Sequence, residues 1–208
     1  IHVLRCFDDG NVVHVDGSVD PVRDKEIIDT ELQLKDLETV ENRIKRVEKI
    51  AQVGNDKNAK LEYTVLTAIR EALLEGNNAR SVTFESKDEQ TAARNLFLLT
   101  SKPVLYVCNV DEGSAVSGNE YVERVREAVA PEGAEILVVA AQTEADIAEL
   151  ETFEERQEFL KDVGLEESGV NRLIKAAYKL LDLETFITAG EIEVHAWTYK
   201  RGWKAPQC

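Results

Sequence analysis

The sequence predicts an α/β chain in which a parallel sheet is interrupted near its start by an antiparallel helical arm and followed by a separate β-rich segment. Three observations carry this. Residues 103–108 and 135–141 are nearly continuous apolar runs, the composition of strands covered on both faces, with a helix-period stretch between them that makes a strand–helix–strand unit. Between residues 37 and 73 the apolar side chains recur every three or four positions, the period of a helix. Over residues 186–197 the alternation returns to a period of two, which marks a new extended module beginning near Thr185.

The elements follow in order. Ile1-His2-Val3-Leu4-Arg5-Cys6-Phe7 and Val12-Val13-His14-Val15 are short β-branched runs separated by Asp8-Asp9-Gly10-Asn11, which is turn chemistry, so two extended segments are expected. Asp20 before Pro21 is a helix start signal. Leu37, Val40, Ile44, Val47 and Ala51 form one stripe of a long helix. Gly54-Asn55-Asp56 interrupts it, and Leu61, Val65, Ala68, Ile69, Ala72 and Leu73 restart the pattern until Gly76-Asn77-Asn78. Two helices with narrow apolar stripes, joined by a tight polar turn, predict an antiparallel hairpin that projects as a coiled-coil arm. After strand 103–108, Tyr121, Val122, Val125 and Val129 place a helix over 119–130; strand 135–141 follows, then helices over 145–150, 153–163 and 170–183, with a break at 165–169. The expected organisation is a sheet domain from 1–20 and 84–184, an arm over 21–83 inserted in it, and the start of another module at 185–208.

Composition limits the function classes. The 208 residues carry 25 basic and 40 acidic side chains, a net charge of −15, so the bulk potential repels nucleic acid except where basic groups gather locally, and no DNA specificity is expected. Cys6, Cys108 and Cys208 are odd in number and unclustered, which fits a reduced, cytoplasmic compartment and gives no metal-ligand spacing. No apolar run approaches the roughly 18 residues of a membrane span, and no leader pattern is visible. The strand-like opening at Ile1, the absence of Met and the unfinished segment after Tyr199 make the sequence read as an interior piece of a longer protein.

Basic residues gather in one place. Arg43, Lys45, Arg46, Lys49, Lys57 and Lys60 face only Glu48 and Asp56 between positions 42 and 60, at the tip of the expected arm. A solvated helix face and an RNA-docking tip both account for this cluster.

The most informative stretch is Cys108-Asn109-Val110-Asp111-Glu112-Gly113, directly after an expected buried strand. Ligands of doubly wound sheets bind at the carboxyl ends of the strands. An Asn there offers a donor and an acceptor to a purine edge, and a carboxylate a few residues on accepts from a ring or exocyclic N–H. Turn hydrogen bonds made by Asn109 and Asp111 are the plainer alternative. The second strand ends in Val139-Ala140-Ala141-Gln142, small residues that let backbone N–H groups approach a ligand.

Taken together, Arg5-Cys6-Phe7, Val12 to Gly17, Val19-Asp20-Pro21, Thr30-Glu31-Leu32, Asn109-Val110-Asp111-Glu112, Glu144 to Leu150, Gly169-Val170-Asn171-Arg172, Phe186 to Gly190 and Ala196-Trp197-Thr198 resemble the YchF/Obg-like ATPase family over nearly the whole chain. The resemblance implies a Ras-like P-loop NTPase sheet with an inserted coiled-coil arm and the start of a β-grasp TGS module. It further implies ATP or GTP as substrate with Mg²⁺ as cofactor, and association with ribosomes through the large subunit or its RNA. Carried over residue by residue, Asn109, Val110 and Glu112 contact the base, Asn-x-x-Glu replacing the Asn-Lys-x-Asp of guanine-selective relatives, and Ala140, Ala141 and Gln142 line its other side. The phosphate-binding Gly-x-x-x-x-Gly-Lys-Ser/Thr is absent from these 208 residues, so neither catalytic residues nor metal ligands are expected here and this piece alone is not expected to hydrolyse nucleotide.

The remaining candidates are structural by the same reading. His2, His14 and His195 lie in strand-like runs without partners at metal-ligand spacing. Cys108 ends a buried strand. Trp197, Tyr199 and Trp203, with Lys200, Arg201 and Lys204, fit either a stacking surface for single-stranded nucleic acid or the core of the last module.

Overall fold

The computed structural model describes residues 1–9, 17–54 and 56–207; the second extended run at 12–15 lies outside them. The chain divides into two compact units, Ile1–Pro21 with Val104–Cys208, and Val22–Pro103.

In the first unit, β1 (His2–Arg5), β2 (Leu105–Asn109) and β3 (Glu135–Val139) form a parallel sheet in that order. The register pairs Arg5 with Asn109 and Asn109 with Val139, so the three carboxyl ends finish level. As expected of a central strand, β2 buries Leu105, Tyr106, Val107 and Cys108. By contrast, all five residues of β3 are half-buried, because among the described residues nothing pairs with its outer edge. Leu137, Val139, Leu173 and Leu180 pack on Leu105, Val107 and Ala176, which sets α7 (Gly169–Leu180) against the sheet.

Crossover helix α4 (Glu120–Val129) buries Val122, Val125 and Val129, the stripe its sequence predicts. Its cap, Asn119, accepts from Val122 N–H at 3.1 Å and donates Nδ2 to Cys6 O at 2.7 Å, tying the crossover to the end of β1. After β3 come α5 (Ala141–Glu149) and α6 (Phe153–Asp162), the latter opened by a reciprocal capping box between Thr152 and Glu155. Helix α5 begins four residues earlier than its sequence signals, and α7 stops at Leu180 rather than near 183, because Asp182 adopts a left-handed φ of 55° and the chain turns into β4. Strands β4 (Leu183–Ala189) and β5 (Val194–Lys200) pair antiparallel. Their large side chains stay largely open, Ile187 at 68% exposed and Trp197 at 47%, as does Trp203 beyond β5, at 44%.

The second unit is helical. Helix α1 (Pro21–Val53), begun by the expected Asp-Pro signal, runs 33 residues, about 50 Å at 1.5 Å per residue. Helix α2 (Lys57–Leu74) starts on Asp56, whose side chain accepts from Asn58 and Ala59 N–H. Ion pairs Arg43–Glu62 and Arg70–Glu41 join the two across their length, an antiparallel pairing. Val40, Val47, Ala51, Ala59, Val65, Leu66, Ile69 and Leu73 fill the seam.

One boundary differs from the expectation. Residues 84–103, assigned by sequence to the sheet domain, group with the helices. The reason is packing: Phe84, Ala92, Ala93, Leu96 and Leu98, on and around α3 (Lys87–Arg94), complete the core of the helical unit. A buried carboxylate fastens the return. Asp36, 2% exposed, accepts from Leu99 N–H at 2.8 Å, Thr100 N–H at 2.6 Å and Thr100 Oγ1–H at 2.7 Å, while Ala79 N–H donates to Thr100 Oγ1 at 3.0 Å.

Candidate functional site

The level carboxyl ends of β2 and β3 bring the two stretches singled out by sequence side by side. Asn109, last residue of β2, turns its Oδ1 to the N–H of Ala141 at 3.0 Å, and Val110 N–H donates to Val139 O at 2.9 Å. Ala140, the residue before α5, provides no side-chain cap, so Asn109 caps that helix from the neighbouring strand. The amide nitrogen of Asn109 makes no hydrogen bond among the described residues and remains a donor at the strand end. What sequence reads as a small-residue loop is thus largely a helix start: Ala141 and Gln142 are the first two residues of α5, both exposed, and Ala140 is buried.

Beyond Asn109 the chain turns into a short 3-10 segment, Glu112–Ser114, capped by Asp111, whose carboxylate accepts from Ser114 N–H and Oγ–H at 3.0 to 3.1 Å. Asp111 therefore does the turn work weighed as the plain alternative, whereas Asn109 reaches across to a second element. Glu112 is exposed, its carboxylate unengaged among the described residues. Val110 is 3% exposed, so its side chain belongs to the core. Behind the site, Cys6 and Cys108 are fully buried. A hydrogen bond to Cys108, reinforced by burial, pushes the Cys6 thiol well above the ordinary range, which makes it inert rather than nucleophilic.

Two residues that the sequence marks only as part of the family resemblance, with no role of their own, hold this arrangement from behind. Glu144, in the first turn of α5, accepts from Gly169 N–H at 2.5 Å and Val170 N–H at 3.3 Å, and Arg172 Nη2 donates to Val138 O at 3.0 Å. Their partners lie 25 to 34 residues away, beyond any local pattern.

The other candidates are distributed as follows. Arg43, Lys45, Arg46, Lys49, Lys57 and Lys60 are all exposed on the facing ends of α1 and α2; Arg43 is paired with Glu62, and the other five make no ion pair among the described residues. His2 lies against Tyr106 with ring centroids 5.5 Å apart, and His195 lies 4.2 Å from Trp197. Arg201 is engaged by Asp182 and Glu184. Among the described residues no three His, Cys, Asp or Glu side chains converge on a metal position, so the Mg²⁺ implied by the resemblance finds no fitting ligand set here. Among the described residues no helix is long and apolar enough to cross a membrane.

Comparison with known proteins adds an independent line. No family model matches the chain. The ribosome-binding ATPase YchF of Bacillus subtilis (strain 168) is 52% identical over 209 residues, covering 100% of this chain and 56% of that protein. The protein of the same name from Escherichia coli O157:H7 is 48% identical over 206 residues, 99% of this chain and 56% of its own length. Obg-like ATPase 1 of Gallus gallus is 37% identical over 210 residues. Among solved structures, the Schizosaccharomyces pombe YchF GTPase superposes with a TM-score of 0.86 at 31% identity, covering 99% of this chain and 56% of that one. The chain thus spans about half the length of the relatives it matches.

Proposed function

Because this chain belongs, over the residues it spans, to the YchF/Obg-like family of P-loop nucleotide hydrolases, we propose that it supplies the base-recognition half of a nucleotide site in a cytoplasmic, ribosome-associated hydrolase of ATP or GTP. The observation that carries this reading is the 3.0 Å bond from Ala141 N–H to Asn109 Oδ1. It fixes the Asn side chain between two strand ends and leaves its amide to donate to a ring nitrogen of a purine. Glu112, exposed three residues on, is the acceptor for an exocyclic or ring N–H, and the first-turn amides of α5 and the small side chain of Ala141 approach the ring from the other side. The burial of Val110 narrows its part to the backbone.

The phosphate loop, Mg²⁺ and hydrolysis are proposed for the whole protein on the strength of the family alone; Mg²⁺ there offsets phosphate charge, and no step is derived from residues of this chain. In the same reading α1 and α2 form the family's coiled-coil arm, and β4 with β5 opens its TGS module.

The test is nucleotide selectivity in the full-length protein. Asn109→Ala is expected to weaken ATP binding about tenfold or more, the loss of a well-placed hydrogen bond to the base, and Glu112→Asp to change the ATP/GTP ratio. Unchanged affinity and ratio in both variants overturns the base assignment. A second reading rests on the arm tip, where five exposed cations that make no ion pair among the described residues stand on an otherwise acidic chain. It is an RNA-docking surface, and reversing Lys45, Lys49 and Lys57 to Glu should flatten the salt dependence of ribosome binding.

A further inference from the structure

We propose that Glu144 and Arg172 are positioning residues for base recognition, clamping the start of α5 against the N-terminus of α7 so that the amides facing the base are held in place without touching the ligand themselves. The inference rests on the nucleotide reading above.

Helix α5 is only nine residues long and lacks a cap of its own; at its start, the Asn109 side chain holds one amide. The remaining rigidity has to come from behind, and α7 provides it at two points. Glu144 carries a carboxylate into the N-terminus of α7, where Gly169 N–H and Val170 N–H donate to its two oxygens. Ser168 Oγ takes the next amide, Asn171 N–H, at 3.3 Å, so the first-turn donors of α7 are shared between its own cap and a side chain of α5. One turn further along α7, Arg172 reaches back to Val138 O, one residue before the end of β3. Segment 138–144 is therefore gripped at its beginning by Arg172, in its middle by Asn109 and Val110, and at its end by Glu144.

Two further details fit a clamp rather than incidental contact. Gly169 sits tightly against both partners: a Cβ there would stand 2.9 Å from Glu144 Oε1 and 3.0 Å from Val139 Cγ1, so an added methyl displaces the tip of Glu144 and crowds Val139. Arg172 Nε is buried with no hydrogen-bond partner among the described residues, so its burial is a cost borne alongside the guanidinium contact to Val138 O.

The experiment compares ATP with inorganic tripolyphosphate, which presents phosphates and no base, on the full-length protein. Glu144→Ala is expected to weaken ATP binding about tenfold, the order of effect of a small misplacement of binding groups, and to leave tripolyphosphate affinity unchanged. Glu144→Gln, which keeps an acceptor oxygen, should stay within about threefold of the parent. Gly169→Ala is a second route to the same displacement, should Glu144→Ala fail to fold. In both loosened variants the Ala141 and Gln142 amides should exchange with solvent faster. An ATP affinity unmoved by Glu144→Ala and Gly169→Ala, while Asn109→Ala lowers it, refutes the clamp and leaves the base site standing. If Asn109→Ala is silent as well, the nucleotide reading fails first. An equal fall for ATP and tripolyphosphate marks a general structural role and also refutes the proposal.

Discussion

Replacing Asp36 by Ala tests what joins residues 84–103 to the helical unit. The carboxylate receives three hydrogen bonds, from Leu99 N–H, Thr100 N–H and Thr100 Oγ1–H, and Thr100 is 1% exposed. Stranding a buried donor costs about 1–3 kcal/mol. Thr100 N–H bears that cost in full. The Thr100 hydroxyl can rotate, and Leu99 is 40% exposed and partly recovered by water, so the other two bear a fraction of it. The sum is about 3–4 kcal/mol, and at about 4–8 °C per kcal/mol for a unit of this size the melting temperature of the helical unit should fall by roughly 12–30 °C. Circular dichroism at 222 nm follows the melt, and amide exchange at Leu99 and Thr100 reports whether the loss is local. Asp36→Asn should recover less than half, since its NH₂ opposes one of the donors. A melting temperature within about 4 °C of the parent, with both amides still protected, would refute the assignment of Asp36 as the fastening.

Two further outcomes are expected. Asn119→Ala removes both the cap of α4 and the bond to Cys6 O, a loss of about 1–2 kcal/mol measurable by urea denaturation, and Asn119→Ser should restore the capping part only. The Glu155 carboxyl is held below its ordinary 4.5 by the Thr152 backbone N–H, then by the Thr152 hydroxyl. Its contribution is present above that ordinary value and is lost as pH falls through the lowered one, so the Thr152 amide resonance should titrate with a midpoint below 4.5 and stop titrating in Glu155→Ala.

Much of this architecture is legible from periodicity. The stripe from Leu37 to Ala51, its continuation from Leu61 to Leu73 and the run before Asn109 each specify an element because burial repeats with the geometry of that element. The start of α5 is not legible, because its cap lies 32 residues upstream in Asn109 and the local residues Ala140 and Ala141 signal nothing. The grouping of residues 84–103 with the helices is hidden for a related reason: α3 is short and buries none of its own residues, so its membership is decided by Leu98 and by Asp36, an acidic residue one position before the apolar stripe. At the site, the Asn and the carboxylate were legible as types at a strand end. Glu144, Gly169 and Arg172 are ordinary residues whose partners only the fold supplies.

The separation of β1 from β2 bears on how the chain is born. His2 pairs with Tyr106, so β1 leaves the ribosome roughly a hundred residues before its neighbour does, about 5–20 s at ordinary elongation rates. For that interval β1 lacks the β2 strand it pairs with. The helical unit, made of contacts close in sequence, has time to assemble first. When the Asp36 bonds capture Leu99 and Thr100, they bring the chain that becomes β2 back to the helix that follows β1. The interruption thus shortens the search that β1 and β2 must make for one another, and the order of synthesis becomes an order of folding.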